Sequence, residues 1–458
     1  MRTGELGFWW RSLGGPPPPR APLPGPCEAD VAIVGAGYTG LWTAYYLARA
    51  DPTLRIVVLE AEVAGFGASG RNGGWVSGFF SGPARSYIRR SGRPAYETLQ
   101  RRMFETLTEI ETVLERQSIE ADLLRCGRLS VALDSAQHEH MRSELDAARA
   151  LGLGEADLRL LDATELARRV RVAGALGASF SPHVARVHPA KLLAGLARAV
   201  EQLGVEIYES TPVSAIEPRR ALTPRGAVAA RWVVRATEGY TASLRGQRRA
   251  LVPMNSSMVI TEPLPAAAWE EIGWQGCEVM SDEAHVYVYL QRTADGRIAI
   301  GGRGLPYRFG SRTDGRGDTA ERTVASLRGK LTAMFPASAD TPLDHAWSGV
   351  LGVPRDWCPS IEADPQLGLA RAGGYVGEGV AAANLAGRTL RDLILGEDSE
   401  LARLPWVGRH PRRWEPEPLR WASIQSVYGL YRRADAAEAR SGRSSRLGRL
   451  VDGLSGRG

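Results

Sequence analysis

The chain has 458 residues, a length for two or three domains, with 57 Lys plus Arg against 51 Asp plus Glu and a net charge of +6. Residues 401–458 hold 12 Arg against 5 acidic residues, so the first 400 residues come to about −1 and nucleic acid is not an expected partner. No apolar run approaches the roughly 18 residues of a membrane span, and the N-terminus lacks the apolar core of a signal peptide.

The 4 cysteines, Cys27, Cys126, Cys277 and Cys358, have neither metal nor disulfide spacing. Reduced thiols and a cytoplasmic location are expected. Lys191 and Lys330 are the only lysines, an Arg-for-Lys bias that fits a GC-rich bacterial genome.

In chain order, residues 1–26 end in a proline-rich stretch and read as a stiff lead-in. Val31 to Val34 reads as a buried parallel strand. It breaks into Gly35-Ala36-Gly37-Tyr38-Thr39-Gly40 and then an Ala-rich helix. Gly35 permits the sharp turn, Gly37 the approach of a pyrophosphate, and Gly40 the packing of helix on strand. Free N–H groups at the helix start favour the phosphates. A second strand, Ile56 to Leu59, ends in Glu60, whose carboxylate can accept ribose hydroxyls. This fingerprint predicts a dinucleotide without separating NAD from FAD.

Residues 67–74, GASGRNGG, form a second glycine-rich loop. Residues 95–150 read as helical, with many i, i+4 charge pairs. A further α/β unit follows, with a helix from Ala190 to Leu203, a strand from Val205 to Glu209, and then Val213. Residues 231–239 read as a strand ending in small residues. His285 to Arg292, a turn at Asp295-Gly296 and a return strand from Arg297 to Gly301 read as a hairpin. Its alternation places His285, Tyr287 and Tyr289 on one face. Gly377-Glu378-Gly379-Val380 opens a last helix, Ala381 to Leu395. No second G-x-G-x-x-G occurs in a strand–turn–helix setting, which tilts the cofactor towards one flavin dinucleotide.

The C-terminal segment places Leu419, Trp421, Ile424, Val427, Tyr428 and Tyr431 near helical spacing, as a helix packed on its own body would, with a partner or dimer contact and an interfacial membrane helix as the alternatives. Residues 441–458, rich in Ser, Gly and Arg, are expected to be disordered.

The motifs together resemble the D-amino-acid oxidase-like superfamily of FAD-dependent amine oxidoreductases. They are most similar to the branch containing gamma-glutamylputrescine oxidase. The resemblance runs from about Trp9 to Leu395. It rests on the fingerprint ending in Glu60, GASGRNGG, Val187-His188-Pro189, Thr261-Glu262-Pro263-Leu264, Gly301-Gly302-Arg303, Trp347-Ser348-Gly349 and the GEGV helix start.

The resemblance implies an α/β protein in which a Rossmann-like FAD-binding domain (27–85, 183–250 and 346–400) is interleaved with an α+β, mixed-sheet substrate domain (86–182 and 251–345). A lead-in (1–26) and a basic helix and tail (401–458) would flank them. Gly35, Gly37, Gly40, Glu60 and Ala61 would bind the ADP half of FAD. Ser69, Arg71, Asn72, Gly73 and Gly74 would run along the pyrophosphate and flavin. Val213 would meet adenine, with Ala236 and Thr237 nearby. Gly377, Glu378, Gly379 and Val380 would aim N–H groups at the flavin N1 and C2=O region, where reduction places charge.

Departures from the family pattern carry information. Leu351 stands where amino-acid-oxidising relatives place the Arg that grips a carboxylate, which favours an amine substrate. Gly349 and Arg71 stand where relatives attach FAD through Cys or His, so FAD is expected to be non-covalent. No Lys falls in Ile298-Ala299-Ile300, leaving oxygen or another electron acceptor open. Glu378 replaces a common His, and its carboxylate is expected to point away or pair with a cation.

The expected reaction is oxidation of an amine C–N bond. Pocket-wall candidates are His285, Tyr287, Tyr289, Trp347 and Arg303, with packing as the alternative role of each. His188 reads as structural and Asp356 as a turn cap. An aminophosphonate or amino acid substrate, with Arg292 and Arg303 as the places to look, is the second reading, and a non-catalytic flavoprotein the third. A homo-oligomer is also open.

Overall fold

The computed structural model describes residues 1–313 and 315–455. Two large sheets organise it. The first is built around parallel strands: Cys27–Val34 lies between Ile56–Leu59 and Gly226–Arg235, and Glu206–Tyr208 extends it beyond Ile56–Leu59. Leu369–Gly373 returns to pair in parallel with Gly226–Arg235, more than 130 positions later. Val31, Ala32, Ile33 and Val34 are all buried, as a strand covered on both faces requires.

The second sheet has nine strands. Near one edge runs its longest antiparallel pair, Val252–Thr261 and Leu343–Val353. Val288–Arg292 and Ile298–Gly302 form the expected hairpin beside it. Helices Ala266–Ile272 and Glu321–Met334 back this sheet through Trp269, Ile272, Leu327 and Leu331. The strand Leu343–Val353 lies in this sheet, and the chain rejoins the first sheet at Ser360–Asp364.

Helices Tyr38–Ala50 and Gly379–Leu395 cross at close range. A Cβ on Gly387 would stand 2.9 Å from the Thr43 nitrogen, so only glycine allows this approach. The crossing brings both helix starts to one end of the parallel sheet.

Three segments differ from the sequence reading. Residues 95–150 are not continuously helical: helix Arg93–Arg116 is followed by strand Arg128–Ala132 and then helix Ser135–Ala150. The alternation Leu129, Ser130, Val131 after Gly127, at φ +76°, carries the strand signal that the charge pairs masked. The lead-in is also not merely a spacer. Arg2–Thr3 pairs with Leu343–Val353, and helix Phe8–Arg11 buries Phe8, Trp9 and Trp10.

The third difference lies at the C-terminus. Helix Leu419–Ser441 packs Ile424, Tyr428, Tyr431 and Ala434 on the body and ends at Gly442, φ +63°. Leu419 and Trp421 stay exposed. The expectation of disorder over 441–458 is not met across Arg446–Ser455, which is a helix; 456–458 lie outside the described residues. Among the described residues no helix is long and apolar enough to cross a membrane.

Candidate functional site: a dinucleotide cradle opening into a polar cavity

The cradle begins where strand Cys27–Val34 ends. Gly35 takes φ +107°, and a Cβ there would meet the Ala236 carbonyl oxygen at 2.7 Å. That contact fixes Gly35 against the Ala236-Thr237 corner. Gly37 caps helix Tyr38–Ala50 with no side-chain hydrogen bond, leaving that end for backbone donors. The Tyr38 N–H donates to Ser69 Oγ at 2.9 Å, tying the first glycine loop to the second.

Glu60 closes the cradle from the next strand. Its Oε2 accepts the Ala36 N–H at 2.8 Å and its Oε1 the Glu62 N–H at 3.1 Å. Burial pushes this carboxyl up to about 7, outweighing both hydrogen bonds. The Thr211 N–H donates to the Glu60 carbonyl, which brings the Val213 segment alongside. Ala61 is exposed beside it, and Val213 is half-buried.

Residues 67–74 are held by three side chains from remote parts of the chain. Trp9 Nε1 donates to the Asn72 carbonyl at 2.8 Å, Trp347 Nε1 to the Arg71 carbonyl at 2.9 Å, and Gln291 Nε2 to the Gly73 carbonyl at 2.8 Å. Asn72 braces the turn internally: its Nδ2 donates to the Ser69 carbonyl and its Oδ1 accepts the Gly74 N–H at 2.7 Å. A Cβ at Gly73 would strike the Tyr289 ring at 2.7 Å, and one at Gly74 would lie 2.5 Å from the Val187 carbonyl. The Arg71 guanidinium is buried, donates to the Ser348 and Gly315 carbonyls, and stands 4.6 Å from the centre of the Phe66 ring.

The third glycine segment faces the second across a small cavity of about 60 Å³. Val376 takes φ +59° and Gly377 φ +120°. A β-branched residue in the left-handed region costs ~1–3 kcal/mol and needs surrounding support. Glu238 supplies it: Oε1 accepts both the Gly374 and Tyr375 N–H groups at 2.9 Å. Burial pushes the Glu238 carboxyl up to about 7. Glu238→Ala would orphan two buried N–H groups, each at ~1–3 kcal/mol. We expect loss of stability and weaker flavin retention, read by melting temperature and by flavin content after desalting.

The small cavity shares Ala68, Asn72, Leu351, Val376, Gly377 and Val380 with a larger one of about 320 Å³. Tyr289 walls the larger cavity. Its hydroxyl lies 2.8 Å from Ser256 Oγ, and burial pushes the phenol up to about 12. Tyr287 is 38 % exposed and stands at the rim. Arg303 lines the wall with Nη1 donating to the Asn255 carbonyl at 3.2 Å.

Glu378 also faces this cavity. Burial raises its carboxyl, opposed by a Ser77 hydrogen bond and the charge of Arg128 in the same cavity wall. Arg128, Glu144 and Glu283 complete the polar end; burial and then the Glu144 charge push Glu283 well above the usual carboxylate range.

Two wall candidates lie elsewhere. His285 falls in a turn, because both Asp435 carboxylate oxygens accept N–H groups, from His285 at 2.8 Å and Val286 at 3.1 Å. Its ring stacks on Tyr431 instead of joining Tyr287 and Tyr289 on one face. Trp347 is fully buried beneath the Arg71 loop, stacked on Phe8, and does not line the cavity. Arg292 likewise turns away, donating to the Trp274 carbonyl and covering the Trp269 ring.

His188 caps helix Pro189–Gln202 by accepting the Lys191 N–H, a structural role, and burial pushes its ring down to about 4. Asp356 accepts the Cys358 N–H in a turn and pairs with Arg409 at 2.7 Å. Trp9, Glu238 and Arg128 were missed from sequence; only Arg128 carried a local signal, the strand that it opens.

A dinucleotide cradle, a braced second loop and a strained helix start beside a polar cavity define a flavin-dependent oxidoreductase. The glycine positions fit FAD, because added Cβ atoms would fill the cradle or collide with its walls. A family model described as "FAD dependent oxidoreductase" (DAO) matches residues 30–393, and the chain belongs to that family.

The chain is 31% identical over 379 residues to the gamma-glutamylputrescine oxidoreductase of Escherichia coli, covering 80% of this chain and 84% of that protein. It is 29% identical over 385 residues to the probable oxidoreductase OrdL of Haemophilus influenzae, covering 82% and 85%. Among solved structures, the glycine oxidase of Geobacillus kaustophilus superposes with a TM-score of 0.69 at 23% identity, over 84% of this chain and all of that one.

Proposed function

We propose that the protein oxidises the C–N bond of an amine in the cytoplasm, with non-covalently bound FAD and oxygen or another acceptor taking the electrons. The observation that carries this reading is Leu351. It lines both cavities and leaves an apolar wall beside Gly377; by the family resemblance it stands where a carboxylate-gripping Arg would fall. The similarity to a gamma-glutamylputrescine oxidoreductase supports it.

Bound FAD would supply a two-electron acceptor for the hydride of the amine's α-carbon. The nitrogen lone pair of the neutral amine drives that hydride from its α-carbon. Water then converts the resulting iminium to a carbonyl compound and an amine. This chain's residues would orient and desolvate: Tyr289 and Leu351 shape the wall, and Gly377, Glu378 and Val380 line it at the start of the last helix, with the Glu378 N–H held by the Tyr375 carbonyl. Glu283, Glu144 and Arg128 would meet a polar distal group of the substrate. The FAD domain would comprise 27–85, 183–250 and 346–400, and the substrate domain 86–182 and 251–345.

Arg128 and Arg303 in the same wall favour a second reading, an amino acid or aminophosphonate with an anionic head. Anaerobic flavin bleaching separates the two. Polyamines and acylated diamines bleach the flavin on the first reading. Bleaching only by amino acids or aminophosphonates supports the second. No bleaching by any amine, with flavin bound and reducible by dithionite, removes the amine reading. Readmitting air then distinguishes oxidase from dehydrogenase.

Leu351→Arg tests the wall directly. A charge-assisted bond is worth ~1.5–3 kcal/mol. We expect kcat/KM for small α-amino acids to rise roughly tenfold to a hundredfold relative to amines. An unchanged preference in a flavin-replete variant would detach specificity from this position.

A further inference from the structure

Three metal-binding side chains from separate elements meet outside the flavin cavity. His140 lies on helix Ser135–Ala150, His285 in the turn after strand Val279–Asp282, and Glu438 on helix Leu419–Ser441. One ligand atom from each lies within 4.8 Å of the others. His285 Nε2 is 3.2 Å, and His140 Nε2 3.6 Å, from Glu438 Oε1. A tetrahedral ion with bonds of about 2.0–2.2 Å holds its donors about 3.3–3.6 Å apart. The two separations match that range, although the His285–Glu438 contact is also a hydrogen bond without an ion.

The tautomer of His140 strengthens the argument. Its Nδ1 lies 3.4 Å from the Glu283 carbonyl, which can only accept. A proton on Nδ1 would satisfy that carbonyl, and Nε2 would then present its lone pair towards the Glu438 carboxylate. A cation there would take the imidazole lone pair and the carboxylate oxygen as ligands. An outer N–H held by a backbone carbonyl is also how metal-bound histidines are oriented.

The ring of His285 is fixed by stacking on Tyr431, with centres 5.4 Å apart. Gly448 leaves space that a Cβ would take, 2.3 Å from its Nε2. The Glu438 side chain is 3 % exposed and its Oε1 accepts the Ser445 N–H at 2.6 Å; Asp435 lies nearby, adding negative charge. Ser444 Oγ, 3.3 Å from His140 Nε2, is a further oxygen within reach.

We infer that His140, His285 and Glu438 bind one divalent transition-metal ion of the zinc class. Two imidazoles and a carboxylate suit such an ion. Glu438 lies beyond residue 393, where the family match ends. The ion would clasp the C-terminal helix to the segment carrying Glu283 and Tyr287, both of which line the cavity.

The test uses the flavin-loaded protein, stripped with a chelator and dialysed against zinc. Direct metal analysis is expected to find one equivalent of Zn2+, and Co2+ to give the visible bands of low-symmetry coordination. Zinc is expected to raise the melting temperature. His140→Ala, at a partly exposed ring, should weaken zinc affinity at least about tenfold with flavin content unchanged. Glu438→Gln should do the same if it folds, and His140→Ala suffices if it does not. No zinc above background in the wild-type protein, or unchanged affinity in His140→Ala, would overturn the site.

Discussion

Replacing Gly40 with alanine is expected to yield protein that leaves a desalting column without FAD. The new Cβ would lie 1.9 Å from the Gly35 carbonyl oxygen and 3.1 Å from its carbon. A methyl group has no rotamer that avoids this collision, and the obstacle is backbone. Helix Tyr38–Ala50 would have to withdraw from the strand, taking its first N–H groups away from the pyrophosphate position. Overpacking against mobile side chains costs ~1–3 kcal/mol, and a rigid obstacle puts the cost at the upper end or above.

The measurement is the flavin-to-protein absorbance ratio together with the melting temperature. Gly429→Ala is the control. It lies in the C-terminal helix with nothing within 4 Å of its added Cβ, so flavin content should not change. Full flavin retention by Gly40→Ala would remove residues 35–40 as the cradle.

The nucleotide half was legible because its signals are local. Strand, Gly35–Gly40 turn, helix and Glu60 all fall within about thirty residues, and each glycine answers to a neighbour in the same unit. The cavity wall was not, because its geometry is set at long range. The alternation of His285, Tyr287 and Tyr289 was real in the sequence. Asp435, 150 positions later, takes the His285 N–H and turns the segment before the strand begins at Val288. Arg128 and Glu283 meet only because strand Arg128–Ala132 pairs with Val279–Asp282. Leu351, not among the wall candidates, lines the cavity, while Trp347, which was one, is drawn under the Arg71 loop by its N–H.

The N-terminal residues hold the same lesson and the second large effect. Trp9→Ala is expected to cost ~3–5 kcal/mol, the range for removing a buried aromatic side chain. Trp9 is 1 % exposed and packs edge-on to Phe8, His188 and Trp347, so the void opens where both sheets and the flavin loop converge. The variant also leaves the Asn72 carbonyl without the indole donor that holds it at 2.8 Å. Trp9→Phe separates the two contributions. It keeps most of the packing and removes the donor to a part-buried carbonyl, a loss of ~0.5–1.5 kcal/mol. Because Asn72 also braces Ser69 and Gly74, that loss falls on the loop rather than on the sheets. Trp9→Phe is therefore expected to weaken FAD binding more than global stability, and Trp9→Ala to weaken both. Flavin dissociation followed by fluorescence, beside thermal melting, reads the difference. Wild-type FAD affinity in Trp9→Phe would mean that Trp347 and Gln291 hold the loop without help from the N-terminal helix.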